Sequence, residues 1–269
     1  MMITTMLSAW LLSRCVRRYG KLASFDAIII ETTGLADPAP VAQTFFVDDW
    51  ISAHYELDGI ITVVDAKHII PRLEEEKPEG VENEAVEQVA FADRILLNKT
   101  DLVPEEAKLA DIESRLKGIN PSASILRCMH SKVEASTLTN IGAFNLEKVV
   151  VMDPEFLNED AEHQHDESVT SCAIKFDGEL AIAPLQDLIG KVMKELGANL
   201  FRYKGVLAVK GNDFKFIFQG VGMLFAGAFS KTDKWADGET RECRFVFIGR
   251  HLDHKMLEDG FMLCKYDSK

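Results

Sequence analysis

Residues 94–101 read RILLNKTD, and this stretch decides how the first half of the chain is organised. An aliphatic run, Arg94 to Leu97, passes directly into the polar tetrapeptide Asn98 to Asp101. A short apolar run that ends in turn-forming polar residues is typical of a buried strand in a parallel sheet. Because ligands bind beyond the carboxyl ends of such strands, the tetrapeptide is a candidate binding loop.

The same arrangement repeats from residue 25 to about residue 130. The predicted strands are Ala27 to Ile30, Gly59 to Val64, Arg94 to Leu97 and Ser124 to Arg127, and the predicted helices are Glu82 to Phe91 and Glu105 to Leu116. This alternation predicts a parallel sheet with helices on both faces. Polar residues follow each predicted strand, namely Glu31, Asp65, Asn98 and His130 with Ser131. We expect them to gather at one edge of the sheet.

The second half has a different pattern, which predicts a smaller α+β domain built on an antiparallel sheet. Its predicted strands are Val169 to Phe176, Phe201 to Val209, Phe214 to Gln219 and Arg244 to Ile248, and its predicted helices are Ala181 to Leu196 and His254 to Met262. The acidic segment before it, which carries His163 and His165, is typical of a linker between domains. Two histidines are too few for a closed four-coordinate zinc site, so we favour a solvated linker over a metal-buffering tract.

The tetrapeptide Asn98-Lys99-Thr100-Asp101 has the form NKxD, which points to guanine recognition. The carboxylate of Asp101 can accept hydrogen bonds from both the ring N–H and the exocyclic amino group of guanine, a pair that adenine does not offer. The Asn98 amide would brace both the loop and the base, and the stem of Lys99 would lie along the flat face of the base. The alternative is an exposed turn whose polar groups cap a helix.

Residues 25–34 read FDAIIIETTG, an apolar run that we interpret as a buried strand ending in Glu31. A carboxylate there can hold a water bound to Mg2+ or orient a hydrolytic water, and Gly34 lets a backbone N–H approach a terminal phosphate closely. The alternative is that Glu31 caps the turn that follows, with local hydrogen bonds from the neighbouring threonines.

Several longer strings resemble the CobW family of P-loop GTPases. They are ETTGLADPAPVAQTFF, LDGIITVVDAKH, KPEGVENEAVEQVAFADRILLNKTDL and FVFIGRHLD, and they run from about Phe25 to Cys264. The resemblance implies a nucleotide-binding domain, a CobW C-terminal domain, and slow GTP hydrolysis coupled to delivery of a metal, in many members zinc, to a client metalloprotein. It implies the cofactors GTP and Mg2+, with Zn2+ as a further candidate.

Matched by position, the resemblance gives roles to individual residues. The acid of the Walker B type falls on Glu31 and the phosphate-sensing glycine on Gly34. The guanine-reading residues fall on Asn98, Lys99 and Asp101, and a later loop on the base side falls near His130 to Lys132, which includes Ser131. The implied domains are a lead-in at 1–24, a nucleotide-binding domain at 25–147, a linker at 148–168 with His163 and His165 as candidate metal ligands, and a C-terminal domain at 169–266.

One part of the family pattern does not occur in these residues. Relatives begin with a strand, a GxxxxGK(S/T) phosphate loop and a CxCC motif, and the sequence contains no Gly-Lys-Ser or Gly-Lys-Thr and no CxCC. We therefore carry two hypotheses. The first is an N-terminally incomplete form of a working GTPase metallochaperone, and the second is a short form without catalysis that binds clients or partners.

Composition narrows the classes of partner. A net charge of -13 would repel a phosphate backbone, so nucleic acid is not expected. No apolar run approaches the roughly 20 residues that span a bilayer, so no membrane is expected. Five scattered cysteines without a CxxC pair fit a reducing, cytoplasmic location. Residues 1–25 are basic and lack acids, which resembles an organelle transit peptide, but we favour an amphipathic helix. A homo-oligomer remains open.

Overall fold

The computed structural model of the chain describes residues 27–34, 37–78, 83–144 and 169–266. The chain divides into a first unit, Met1–Glu113 with Ala123–Ile141, and a second unit, Ser114–Ser122 with Gly142–Lys269. The described elements of the first half, in chain order, are α1 (Ala39–Val47), α2 (Asp49–His54), β1 (Ile61–Asp65), α3 (Ile69–Leu73), α4 (Glu84–Phe91), β2 (Arg94–Asn98), α5 (Glu106–Ile119) and β3 (Ser124–Arg127).

The first unit is organised around a parallel sheet with the strand order β1-β2-β3. The central strand, β2, is the most deeply buried, and Ile95 and Leu97 have no exposed surface. Helix α4 begins where the side chain of Asn83 accepts hydrogen bonds from two backbone N–H groups of the first turn. The strands predicted at 94–97 and 124–127 are confirmed, and β1 begins two residues later than predicted and ends at Asp65.

The strand predicted at Ala27 to Ile30 is wrong. These residues are irregular, and Ile29 is 88% exposed, so the segment before Glu31 is not a buried strand. An apolar run becomes a strand only where its N–H and C=O groups pair with a neighbouring strand, and the described sheet holds no pairing for these residues. Sequence also missed α1 and α2, which follow in the chain.

The second unit contains an antiparallel sheet with the strand order β4-β8-β5-β6-β7. Its elements are β4 (Val169–Asp177), α6 (Ile182–Leu196), β5 (Leu200–Leu207), β6 (Phe214–Val221), β7 (Leu224–Lys234), β8 (Glu242–Arg250) and α7 (His254–Leu263). The predicted α+β class is confirmed, and Gly197 caps α6 in a left-handed conformation as the sequence predicts. Strand β7 was not predicted.

Aromatic side chains fill the core of the second unit. Phe245 and Phe247 of β8 pack with Phe218 of β6 and with Phe261 of α7, and the Phe245 and Phe261 ring centroids are 3.8 Å apart. Leu185, from α6, is fully buried in the same cluster. The two helices therefore cover a sheet face made of large apolar side chains, which is where most of the hydrophobic stabilisation of this unit arises.

Candidate nucleotide-binding site

The three parallel strands of the first unit end together. In the β1–β2 ladder Asp65 lies opposite Asn98, and in the β2–β3 ladder Leu97 lies opposite Arg127. The loops that leave these ends therefore start side by side, as is usual for ligand sites in open α/β sheets. Backbone bonds join them, because Ala66 N–H donates to Asn98 O (2.9 Å) and Cys128 N–H donates to Leu97 O (2.9 Å).

The side chain of Asn98 links the loop that follows β2 to the loop that follows β3. Its Nδ2 donates to Ser131 Oγ (2.9 Å), and its Oδ1 accepts from the backbone N–H of Ser131 (3.0 Å) and from Cys128 Sγ (3.6 Å). The residue is only 8% exposed. Both ends of the amide have hydrogen-bond partners, so Asn98 joins the loop after β2 to the loop after β3.

The third loop has an unusual backbone. His130 (φ 52°) and Ser131 (φ 55°) are successive non-glycine residues in the left-handed region. Each such residue costs about 1 to 2 kcal/mol. The two hydrogen bonds between Asn98 and Ser131 offset part of this cost, and they hold Ser131 next to the end of β2.

Lys99 is fixed at both ends of its side chain. Its backbone is left-handed (φ 63°), and its carbonyl accepts from Leu102 N–H (3.0 Å) to close the turn that follows. Its Nζ donates to Asp65 Oδ2 at 2.6 Å, across the top of the β1–β2 pair. The Lys99 side chain is 49% exposed and that of Asp65 is 14% exposed, so the lysine keeps accessible surface while its charged tip is held by the more buried carboxylate.

Asp65 is ionised through its contacts. Partial burial would by itself raise the pKa of its carboxyl group, but hydrogen bonds from Lys99, from His68 Nδ1 (3.0 Å) and from Lys67 N–H (3.0 Å) outweigh burial. Together they hold the pKa at about 2, below its ordinary value of 3.8. Asp65 is therefore a permanent negative charge at the carboxyl end of β1 above pH 4.

Asp101 lies in the short 3-10 turn Thr100–Leu102. Thr100 anchors that turn, since its N–H (3.4 Å) and Oγ1 (3.2 Å) both donate to Cys128 O. Asp101 itself is exposed, and no described residue forms a hydrogen bond or ion pair with its carboxylate. Its acceptor oxygens are therefore available to a ligand, in contrast to those of Asn98 and Asp65.

Glu31 and Gly34 lie in the irregular segment 27–34. Glu31 is exposed, and within the described chain no hydrogen bond or ion pair joins it to Asp65, Lys99 or Asn98. Thr32, which lies between Glu31 and Gly34 in the sequence, is buried, and its hydroxyl lacks a hydrogen-bond partner among the described residues. The structure thus brings together Asn98, Lys99 and Ser131, whereas among the described residues no hydrogen bond or ion pair links that group to Glu31.

Comparison with known proteins identifies the family of this chain. Residues 7–127 match the family described as the CobW/HypB/UreG nucleotide-binding domain, and residues 169–265 match the cobalamin synthesis protein cobW C-terminal domain. The zinc chaperone YjiA of Escherichia coli is 33% identical over 88% of this chain and 70% of its own length. The chain belongs to the CobW family. The resemblance inferred from the sequence strings is confirmed.

Other members extend the comparison. A zinc-regulated GTPase metalloprotein activator of Schizosaccharomyces pombe is 37% identical over 51% of this chain, which spans only 31% of that relative's length. The crystal structure of zinc-bound YjiA GTPase from E. coli superposes with a TM-score of 0.77, at 31% identity, over 95% of this chain and 75% of that one. The fold class, a parallel sheet with helices and a separate antiparallel C-terminal domain, is that of CobW structures.

Metal ligands are not evident in the described part of this CobW chain. Among those residues no three or more His, Cys, Asp or Glu side chains are grouped so as to hold a metal ion. His163 and His165, the candidate ligands from the sequence, lie outside the described residues, as does the basic segment 1–25. No described helix combines the length and the apolar character needed to cross a bilayer.

Sequence reasoning missed two members of the site. Asp65 was noted only as a polar residue at a strand end, although it binds Lys99, and Cys128 was not considered, although its thiol contacts Asn98. Part of the signal for Asp65 was present, because Asp65 and Asn98 each follow a predicted strand and therefore lie side by side at the sheet edge. Burial raises the pKa of the Cys128 thiol, so this group stays protonated and donates.

Proposed function

We propose that this chain binds a guanine nucleotide at the carboxyl ends of β1, β2 and β3, and that it acts as a GTP-dependent metallochaperone. One observation carries the proposal: the Asn98 to Asp101 loop is held rigidly by Ser131, Asp65 and Cys128, while the carboxylate of Asp101 is left open to a ligand. Membership of the CobW family supports it, as do the zinc-chaperone relatives.

Each residue has a distinct task in the proposed site. Asp101 accepts the two N–H groups that distinguish guanine from adenine. Asn98 holds the loops together, Lys99 covers one face of the base with its stem, and the Ser131 loop closes the base side. A preorganised loop costs little ordering entropy when the ligand arrives, which raises affinity.

The phosphate side of the proposal rests on fewer residues. A GxxxxGK(S/T) loop, which would contact the phosphates, does not occur in the 269 residues. Glu31 is the candidate acid for a water on Mg2+ or for the hydrolytic water, and Gly34 is the candidate for a close backbone approach to phosphate. Mg2+ needs one or two protein carboxylates in addition to phosphate oxygens, and Glu31, which is exposed and has no hydrogen-bond or ion-pair partner among the described residues, could supply one.

Zinc is the proposed cargo, because several relatives are named as zinc chaperones or zinc-regulated activators. The receiver would be a client metalloprotein. His163 and His165 stay proposed ligands, and the division into the four segments 1–24, 25–147, 148–168 and 169–266 stays a proposal as well. A second candidate function is a partner-binding module without catalysis, which would use the well-packed second unit to engage clients or partners.

A titration with fluorescent GTP in the presence of Mg2+ tests the proposal. We expect saturable binding that excess GTP reverses and excess ATP does not. Asp101→Asn should weaken binding about 10- to 100-fold, because a hydrogen bond to a charged group is worth about 1.5–3 kcal/mol. Asp259→Asn, which removes an exposed carboxylate from α7 of the second unit, should bind as the wild type does.

The two functions give different results in this titration. Micromolar binding that requires Mg2+ contradicts the module without catalysis. A wild-type chain that shows no saturable binding, or that binds ATP as well as GTP, contradicts the guanine-nucleotide proposal.

A further inference from the structure

Asp65 is the one described residue that forms an ion pair with the lysine of the NKxD loop. It comes from a different strand, it is separated from Lys99 by 34 positions in the sequence, and its Oδ2 lies 2.6 Å from Lys99 Nζ. It therefore connects the end of β1 to the loop that follows β2. This contact is independent of the Asn98–Ser131 bonds, which connect the loop to the end of β3.

The ion pair with Asp65 fixes the conformation of the Lys99 side chain. The left-handed backbone of Lys99 fixes where the side chain starts, and Asp65 fixes where it ends. A free lysine samples many rotamers, and ordering it costs up to about 2 kcal/mol. Here that ordering occurs before any ligand binds. The side chain as a whole stays 49% exposed, so it offers accessible surface to a flat ring while the ion pair is kept.

Asp65 is itself well anchored, which a positioning group needs. Its Oδ1 accepts from Lys67 N–H (3.0 Å), and its Oδ2 also accepts from His68 Nδ1 (3.0 Å). Asp65 is the last residue of β1, and it is opposite Asn98 in the ladder. The carboxylate thus moves with the sheet, whereas a partner on a loose loop would transmit its own motion to the lysine.

We propose that Asp65 is a positioning residue for guanine-nucleotide binding: it holds the stem of Lys99 as a preformed surface for the purine ring. Asp65 does not touch the base, and it acts only through Lys99. This inference rests on the proposed function, because it assigns a role within the same site.

A double-mutant cycle tests the inference, with fluorescent GTP as the probe and Mg2+ present. Lys99→Met keeps the apolar stem and removes the charged tip, and Asp65→Asn keeps the shape of the carboxyl group and removes its charge. We expect each single variant to weaken binding about 3- to 10-fold, and the double variant to be no weaker than the weaker single variant, because contacting residues are not additive. Glu113→Gln is the matched control, since Glu113 also pairs bidentately with a cation, Arg127, in the first unit.

Acetylation of Lys99, followed by mass spectrometry without nucleotide, gives a readout that a general loss of structure would not mimic. In Asp65→Asn we expect Lys99 to be acetylated several-fold faster, while Lys108, which pairs with Glu105, keeps its rate. The inference is overturned if Asp65→Asn binds fluorescent GTP like the wild type, or if its effect multiplies in full with that of Lys99→Met. If the wild-type chain does not bind guanine nucleotide at all, the proposed function fails and this inference with it; normal wild-type binding with an unaffected Asp65→Asn removes the inference alone.

Discussion

The two units of this chain are built on sheets that differ in strand direction, strand length and the side chains they bury. The first has three parallel strands of four or five residues, and the side chains that fill it are mostly aliphatic. The second has five antiparallel strands of eight to eleven residues with a core of stacked and tilted aromatic rings. Polar side chains gather at the strand ends of the first sheet, whereas the second sheet buries large apolar side chains along its length.

The difference suggests that the first unit supplies the binding loops and the second unit supplies most of the buried apolar surface. In the first unit, hydrogen-bonding groups are concentrated at the strand ends, where Lys99 pairs with Asp65, Asn98 bonds to Ser131, and Asp101 stays open. In the second unit, apolar surface is concentrated under α6 and α7. Functional loops are drawn from less stable regions and rest on rigid elements, so we expect nucleotide chemistry to belong to the first unit and most of the unfolding free energy to the second.

The largest expected effect comes from the aromatic core. Phe245→Ala removes a fully buried ring that packs on Phe218, Phe247 and Phe261, and should lower the unfolding free energy of the second unit by about 3–5 kcal/mol. Calorimetry of the whole chain would show this as a lower melting temperature. The matched control is Phe225→Ala on β7, a side chain that is 43% exposed, which should cost less than about 1 kcal/mol. Equal losses for the two variants would break the comparison.

A smaller effect is expected at Asp65. Its pKa in the folded chain, about 2, lies below its ordinary value of 3.8, so its ionisation stabilises the fold above pH 4, and this contribution is lost as the pH falls toward 2. Because Lys99 is half exposed, we expect Asp65→Asn to cost only about 1–2 kcal/mol at pH 7 and nothing near pH 2. Urea unfolding at a series of pH values measures the difference. If the difference in unfolding free energy between the wild type and Asp65→Asn did not become smaller in acid, the stabilising role of the ion pair would be contradicted.

Much of the fold follows from the sequence because its signals are local. The run at 94–97 ends in polar residues and is a strand, and the helix before Gly197 ends where a left-handed glycine permits it. Two failures have physical causes. The run at 27–30 is as apolar as a strand, but strands depend on pairing, which local sequence does not encode. Strand β7 contains Ala, Gly, Ser, Lys and Asp, residues of low strand propensity, and it forms because β6 offers it a partner.

The site shows the same division between local and long-range information. The NKxD pattern gives Asn98, Lys99 and Asp101 within four positions, and their proposed roles need no knowledge of the rest of the chain. The partners that fix these residues, Asp65 and Ser131, come from other strand ends and become evident only when the three loops are brought together. The position of Glu31 relative to these loops remains a prediction.

The central claim is that guanine is recognised by the loops at 98–101 and 130–132 of the first unit. The most direct test is to titrate GDP into the isotope-labelled whole chain and follow backbone amide resonances, with ADP as the control. We predict that GDP shifts the amides of these two loops, that ADP does not, and that the strands of the second unit stay unchanged. Shifts confined to the second unit, or equal shifts with ADP, would contradict the claim.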